Sequence, residues 1–252
     1  ASFMSYFSSK NIKITNVLDS KDTNLMINSL DKHLTRDKNK LTLDVKPIPF
    51  VPKNYYYLGN SGTCVRFLLP ILAFTCKEDI FFDCSEEMKE RPIEPLVKSL
   101  IDIGCDIEYK EKENYLPLII KPAKQILNNV DIDGTLSSQY VTGLLIGFCY
   151  LYLLNKKEYT INLVGEMTSF GFIEMTIDIL NNFGFNISKP DTEKSIKIND
   201  WNNSCESIYS IESDLSSASY LIAWSYINKF NLILNNTKPN STQPDLRILN
   251  KM

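Results

Sequence analysis

The stretch Leu58-Gly59-Asn60-Ser61-Gly62-Thr63-Cys64-Val65-Arg66-Phe67-Leu68 decides how this chain is read. Two glycines bracket Asn60 and Ser61, so the backbone can turn tightly and present bare N–H groups. From Thr63 onward Val65, Leu68, Leu69 and Leu72 recur at helical spacing, and a small polar residue before such a run predicts a helix N-terminus. Unpaired amides and the positive end of the helix dipole would face whatever lies in front, preferably an anion. Taken alone, the stretch reads equally well as an ordinary capped loop. What separates the two is that the chain does something similar again.

The unit holding this stretch predicts strands at 55–57 and 80–83. A second helix is introduced by residues 90–93 and carries Leu96, Val97, Leu100 and Ile101; Gly104 ends it, and strands follow at 105–109 and 116–120. The order then repeats. A strand at 130–133, a polar turn at 134–139, an apolar helix at 141–154 and a strand at 159–164 lead to a helix opened by Ser169. That helix carries Ile173, Ile177 and Leu180 and is closed by Gly184, with strands at 185–187 and 196–198. Gly62 and Ser137 are 75 residues apart, and Gly104 and Gly184 are 80 apart. A third copy is expected from Tyr209, with a helix from Ser216 to Ile227 and a strand at 232–234, stopping in a second helix at 246–252. Ahead of these lie a strand at 12–14, a helix capped by Ser20 and Asp22 and carrying Leu25, Met26, Leu30 and Leu34, and a strand at 41–45. Pro70 should kink or restart its helix. Such a unit has too much apolar surface to bury alone, so several must pack their helices together behind their sheets. Residues 1–7 begin without a cap and the last unit is incomplete, so the chain is expected to start inside an element and end before its fold does.

Composition bounds the function. A net charge of -3 gives no general attraction to nucleic acid, so an anion site must be a local basic pocket. Apolar content of 44% and charged content of 23% suit a soluble globular protein, and the apolar run at 141–154 is too short to span a bilayer. The six cysteines are scattered with no CxxC pair, and His33 is remote from them, so neither a zinc site nor a disulfide framework is expected and a reducing cytosol fits best. His33 reads as a surface or half-buried residue rather than a base. Helix starts at 60–63, 137–139 and 216–219, with Ser169 as a fourth, offer hydroxyls and free amides suited to phosphate. If rotation relates the repeats, these starts converge. Arg91 can fork two bonds to a carboxylate or phosphate, whereas Arg66 could face the site or pair with a neighbouring acid. The residues thus imply a repeat-built α/β protein with a site for a small, multiply anionic ligand. They do not reach a reaction type.

Six blocks in order carry a resemblance: residues 18–23, 58–68, 88–93, 137–139 (Ser-Ser-Gln), 173–176 (Ile-Glu-Met-Thr) and 212–220. On them the chain resembles the EPSP synthase family, closest to the form embedded in multifunctional arom polypeptides. The resemblance implies an inside-out α/β barrel of repeated strand and helix units, helices inside and sheets outside, in two lobes with ligands in the cleft. Residues 1–210 would be the first lobe and 211–252 the beginning of the second. The implied reaction transfers the enolpyruvyl group of phosphoenolpyruvate to the 5-hydroxyl of shikimate 3-phosphate, with no metal or organic cofactor. Ser137, Ser138 and Ser169 would hold the 3-phosphate and Gln139 the shikimate ring. Asn60, Gly62 and Arg91 would hold phosphoenolpyruvate, where glyphosate competes in this family. Implied partners are these two substrates and fused shikimate-pathway domains, with no nucleic acid and no membrane.

The chain departs from the family pattern at several points. A Lys-Ser loop ahead of residue 1 and the second-lobe acid–base residues beyond residue 252 are not in the sequence, so no catalytic residue is assigned and the chain alone is expected to be inactive. Phe172 stands where the family usually has a substrate-contacting Tyr, and Glu94 replaces a Gly after Arg-Pro-Ile. The motif before Phe172 is looser than usual, and Gln243-Pro244-Asp245 matches a Gln-Gly-Asp turn imperfectly. Two other readings stand beside this one: a non-catalytic binding or scaffold lobe, and the sister enzyme that acts on a UDP-sugar, whose reactive Cys loop is not evident although Cys84 is near. A nucleotide-binding loop lacks its Gly-Lys-Ser/Thr ending.

Overall fold

The computed structural model describes residues 11–30, 34–37, 41–45, 50–188, 194–202 and 206–246. The expectations for residues 1–7, His33, Cys205 and 247–252 lie outside the described residues.

Strands β1 (Ile12–Thr15), β2 (Leu34–Asp37) and β3 (Thr42–Val45) accompany helix α1 (Lys21–Leu30). The next unit holds β4 (Tyr55–Tyr57), α2 (Gly62–Thr75), β5 (Ile80–Asp83), α3 (Glu86–Lys89), α4 (Glu94–Asp102), β6 (Asp106–Tyr109) and β7 (Leu118–Lys121). The third holds β8 (Asn129–Asp133), α5 (Ser138–Asn155), β9 (Tyr159–Val164), α6 (Phe170–Asn182), β10 (Phe185–Ile187) and β11 (Ser195–Trp201), after which come β12 (Ile208–Ser210) and α7 (Leu215–Asn228).

The strands form three four-stranded sheets of one topology: β12-β1-β3-β2, β4-β5-β7-β6 and β8-β9-β11-β10. In each the first pair is parallel and the other two are antiparallel. Each sheet buries one face. Ile80 and Phe82 point inward from β5, and Tyr159, Ile161 and Leu163 from β9, while their neighbours are more exposed. The helices lie behind these faces, with α5 at the centre. Every residue from Tyr140 to Tyr152 is buried, so α5 has no polar face, as expected of a helix enclosed on all sides.

The repeat shows in its punctuation. Gly104 follows α4 with φ +104° and Gly184 follows α6 with φ +95°, a region that favours glycine. A Cβ at Gly104 would lie 2.3 Å from the Gln125 carbonyl oxygen, and one at Gly184 1.8 Å from that of Asn202. Both glycines turn the chain off a helix beneath a returning backbone, so side chains are excluded twice over.

Several expectations are corrected. The third copy does not begin a sheet of its own: β12 pairs in parallel with β1 and completes the first sheet, which otherwise lacks its leading strand. No strand forms at 232–234, where no described strand pairs with the segment and Ile233 is 83% exposed. Leu34 belongs to β2 rather than to α1, which ends at Leu30. A short unforeseen helix, α3, comes before residues 90–93, which introduce α4 as expected, with Pro95 in its first turn. Pro70 neither ends nor restarts α2, which runs unbroken to Thr75. Among the described residues no helix is long and apolar enough to cross a membrane.

Candidate functional site

Three long helices begin at one place. Ser61 caps α2, its hydroxyl accepting from Cys64 N at 3.3 Å. Ser137 caps α5, accepting from Gln139 N at 3.2 Å. Ser169 caps α6 in a left-handed conformation (φ +53°), and its hydroxyl makes no capping bond. A non-glycine residue held there stores backbone strain of about 1–3 kcal/mol, a cost concentrated at functional positions.

The α5 and α6 starts open into a cavity of about 420 Å³. Its polar lining is Ser137, Ser138, Gln139, Thr142, Thr168, Ser169 and Thr176, and its apolar lining Phe67, Leu136, Ile146, Phe172, Met175 and Ile179. Thr63, from the first turn of α2, completes the lining. All four residues expected to meet a phosphorylated ring are therefore together. The threonines are tied inward: Thr142 and Thr176 hydroxyls lie 3.3 Å apart, and Thr176 donates to the Phe172 carbonyl at 2.8 Å. The serines at the helix starts are thus the hydroxyls best placed for a ligand.

Gly62 lies beside this cavity. A Cβ built on it would sit 3.7 Å from Arg66 Nη1, 3.7 Å from Arg91 Nη1 and 3.8 Å from Gln139 Oε1. Two guanidiniums therefore converge on a bare backbone, an arrangement that suits an anion approaching the start of α2. Arg91 is exposed in the turn between α3 and α4, and Asn60 is exposed two residues before Gly62; neither lines the 420 Å³ cavity. Arg66 pairs with the Gln139 amide at 2.8 Å rather than with an acid, which decides the alternative the sequence left open. Glu94 opens α4 and its charge raises the Tyr140 phenol, as burial does more strongly, while Arg66 works against both.

The expected start at 216–219 does not line this cavity. At α7 the Asp214 carboxylate accepts from Ser216 N at 3.0 Å and Ser217 N at 3.3 Å, and the Gln243 side chain accepts from Leu215 N at 2.9 Å. These caps satisfy the amides that a ligand would have used. Burial pushes the Cys84 thiol up to about 12, leaving it inert as a nucleophile at neutral pH. Sequence reasoning missed the apolar lining, since Phe67, Ile146 and Ile179 look like any core residue at helical spacing.

Helices inside and sheets outside, with helix starts gathered beside one cavity, define an enolpyruvyl-transferase fold. The chain belongs to the family of EPSP synthase (3-phosphoshikimate 1-carboxyvinyltransferase), whose model matches residues 3–252. It is 34% identical over 244 residues to the 3-phosphoshikimate 1-carboxyvinyltransferase of Photobacterium damsela subsp. piscicida, covering 93% of this chain and 56% of that protein. It is 35% identical over 248 residues to the pentafunctional AROM polypeptide of Pneumocystis carinii, covering 92% of this chain and 15% of that one. Among solved structures, EPSP synthase from Acinetobacter baumannii superposes with a TM-score of 0.69 at 20% identity, covering 90% of this chain and 50% of that one. The enolpyruvyl transferase from Streptomyces tendae superposes at 0.53 and 12% identity, covering 88% and 50%. The chain spans about half the length of the single-enzyme relatives it matches.

Proposed function

We propose that this chain supplies the shikimate 3-phosphate-binding lobe of an enolpyruvyl transfer. In the reaction, the substrate 5-hydroxyl gives up its proton to a base as its oxygen bonds to C2 of phosphoenolpyruvate, while C3 takes a proton from an acid. The tetrahedral adduct then loses a proton from C3 and breaks its C2–O bond to phosphate, giving 5-enolpyruvylshikimate 3-phosphate and inorganic phosphate. Ser137, Ser138 and Ser169 hold the 3-phosphate and Gln139 meets the ring. Asn60, Gly62 and Arg91 take the phosphoenolpyruvate anion. Neither step calls for a metal or organic cofactor, because a site of oriented dipoles closed to water can stabilise the developing charge. Residues 1–210 form this lobe and 211–252 begin the second. The kinship with AROM polypeptides supports a setting in the cytosol beside fused enzymes of the same pathway.

One observation carries the reading: hydroxyls from the starts of α5 and α6 share a cavity whose flank is Gly62 between two arginines. Isothermal titration with shikimate 3-phosphate tests it. The chain should bind, and Ser138→Ala should weaken binding by at least about tenfold, the usual worth of a hydrogen bond to a charged group. No binding by the unaltered chain would leave the non-catalytic scaffold reading in its place.

A further inference from the structure

Arg66 leaves α2 one turn from its start and reaches across to α5. Its Nη1 donates to Gln139 Oε1 at 2.8 Å, and its guanidinium carbon lies 4.9 Å from the centre of the Tyr140 ring. The Tyr140 hydroxyl donates in turn to the Pro92 carbonyl at 2.8 Å, next to Arg91. The Arg66 Nε is shielded from water with no hydrogen-bond partner among the described residues. Its backbone is held as firmly. Pro70 has no N–H for the Arg66 carbonyl four residues earlier, and a Cβ at Gly143 of α5 would stand 2.2 Å from that oxygen. The α2 and α5 backbones therefore touch at the residue whose side chain joins them.

A guanidinium only donates, whereas a carboxamide has one accepting and one donating end. Gln139 must therefore turn its carbonyl to Arg66 and its Nε2 away, where one N–H points to Thr63 Oγ1 at 3.4 Å. Nε2 carries a second N–H, which remains for the cavity that Gln139 and Thr63 line. We infer that Arg66 is a positioning residue: it fixes the Gln139 carboxamide so that the cavity always meets a donor, and so selects a phosphorylated cyclic polyol with an oxygen borne on its ring that accepts there. This rests on the cavity being the shikimate 3-phosphate site. Without Arg66 the amide is free to flip, and its carbonyl would oppose the same ligand oxygen.

A double-mutant cycle read by isothermal titration tests this, with shikimate 3-phosphate and inorganic phosphate as probes. Arg66→Met and Gln139→Ala should each weaken shikimate 3-phosphate about tenfold, and the double variant should be no weaker than either, because one acts through the other. Inorganic phosphate, which has no ring, should bind Gln139→Ala as it binds the unaltered chain. Arg66→Lys, which keeps a donor-only cation on Gln139, should stay within about threefold of the unaltered chain. Additive losses would mean that Arg66 touches the ligand itself and would overturn the inference. So would an equal loss of phosphate affinity in Gln139→Ala, or a tenfold loss in Arg66→Lys. Failure of the unaltered chain to bind shikimate 3-phosphate would instead count against the proposed function, before any variant is compared.

Discussion

At the scale of single residues, the cavity has a polar and an apolar lining, and Phe172 belongs to the apolar one at 37% exposure. Its backbone N–H donates to the Ser169 carbonyl at 3.0 Å, so the ring leaves α6 one turn after the serine assigned to phosphate. A hydroxyl at the tip of that ring would have a ligand oxygen within reach and little to desolvate. Phe172→Tyr should therefore tighten shikimate 3-phosphate binding about fivefold, the worth of one neutral hydrogen bond. Titration of the two proteins side by side measures it, and unchanged affinity would mean that the ring edge does not face the ligand. Serines 137, 138 and 169 were legible beforehand because small hydroxyl residues before an apolar run are both caps and anion ligands. The partner of Arg66 was not, because a side chain that bridges helices 73 residues apart leaves no local trace.

At the scale of elements, the α2–α5 contact sets the spacing between the two halves of the site. Gly143 meets the Arg66 carbonyl, and Gly147 meets Pro70 and the Phe74 ring, each 2.8 Å from a Cβ built at Gly147. Only glycine lets the helices come this close at position 143, since the obstacle is backbone and cannot rotate away. Gly143→Ala should cost about 2 kcal/mol by overpacking, seen as a fall in Tm of about 4–8 °C, and should weaken shikimate 3-phosphate binding by parting Arg66 from Gln139. Calorimetric melting and titration on the same variant check both. A normal Tm would show that α2 and α5 can separate freely. The helices themselves were readable from their 3.6-residue period and their caps, and β9 and β10 fall where alternation places them. The polar β2 carried no such signal, and a four-residue helix such as α3 is too short to have a period.

At the scale of the whole molecule, the first sheet is closed by a strand from the far end of the described chain. Lys13, Ile14 and Thr15 pair with Ile208, Tyr209 and Ser210, and the Tyr209 ring packs on Phe183 with centroids 5.1 Å apart. A third copy was expected from Tyr209, but nothing local says which sheet edge its first residues fill, because the strand they pair with lies far earlier in the chain. The same separation makes this sheet entropically the most expensive of the three to close, so it should open first. The Ile211 N–H donates to the Thr15 carbonyl at 3.1 Å just past the strand, and Lys13 N donates to the Ser207 carbonyl at 2.8 Å just before it. Ile211→Pro removes the first of these donors, and with it a hydrogen bond that holds the end of β12 against β1. Hydrogen exchange should then show faster exchange of the β1 and β3 amides, while β9 and β11, which pair with each other between β8 and β10, keep their protection. Equal loss in all three sheets would show instead that the described chain opens only as one cooperative body, with β12 as much a part of the cavity's support as α5.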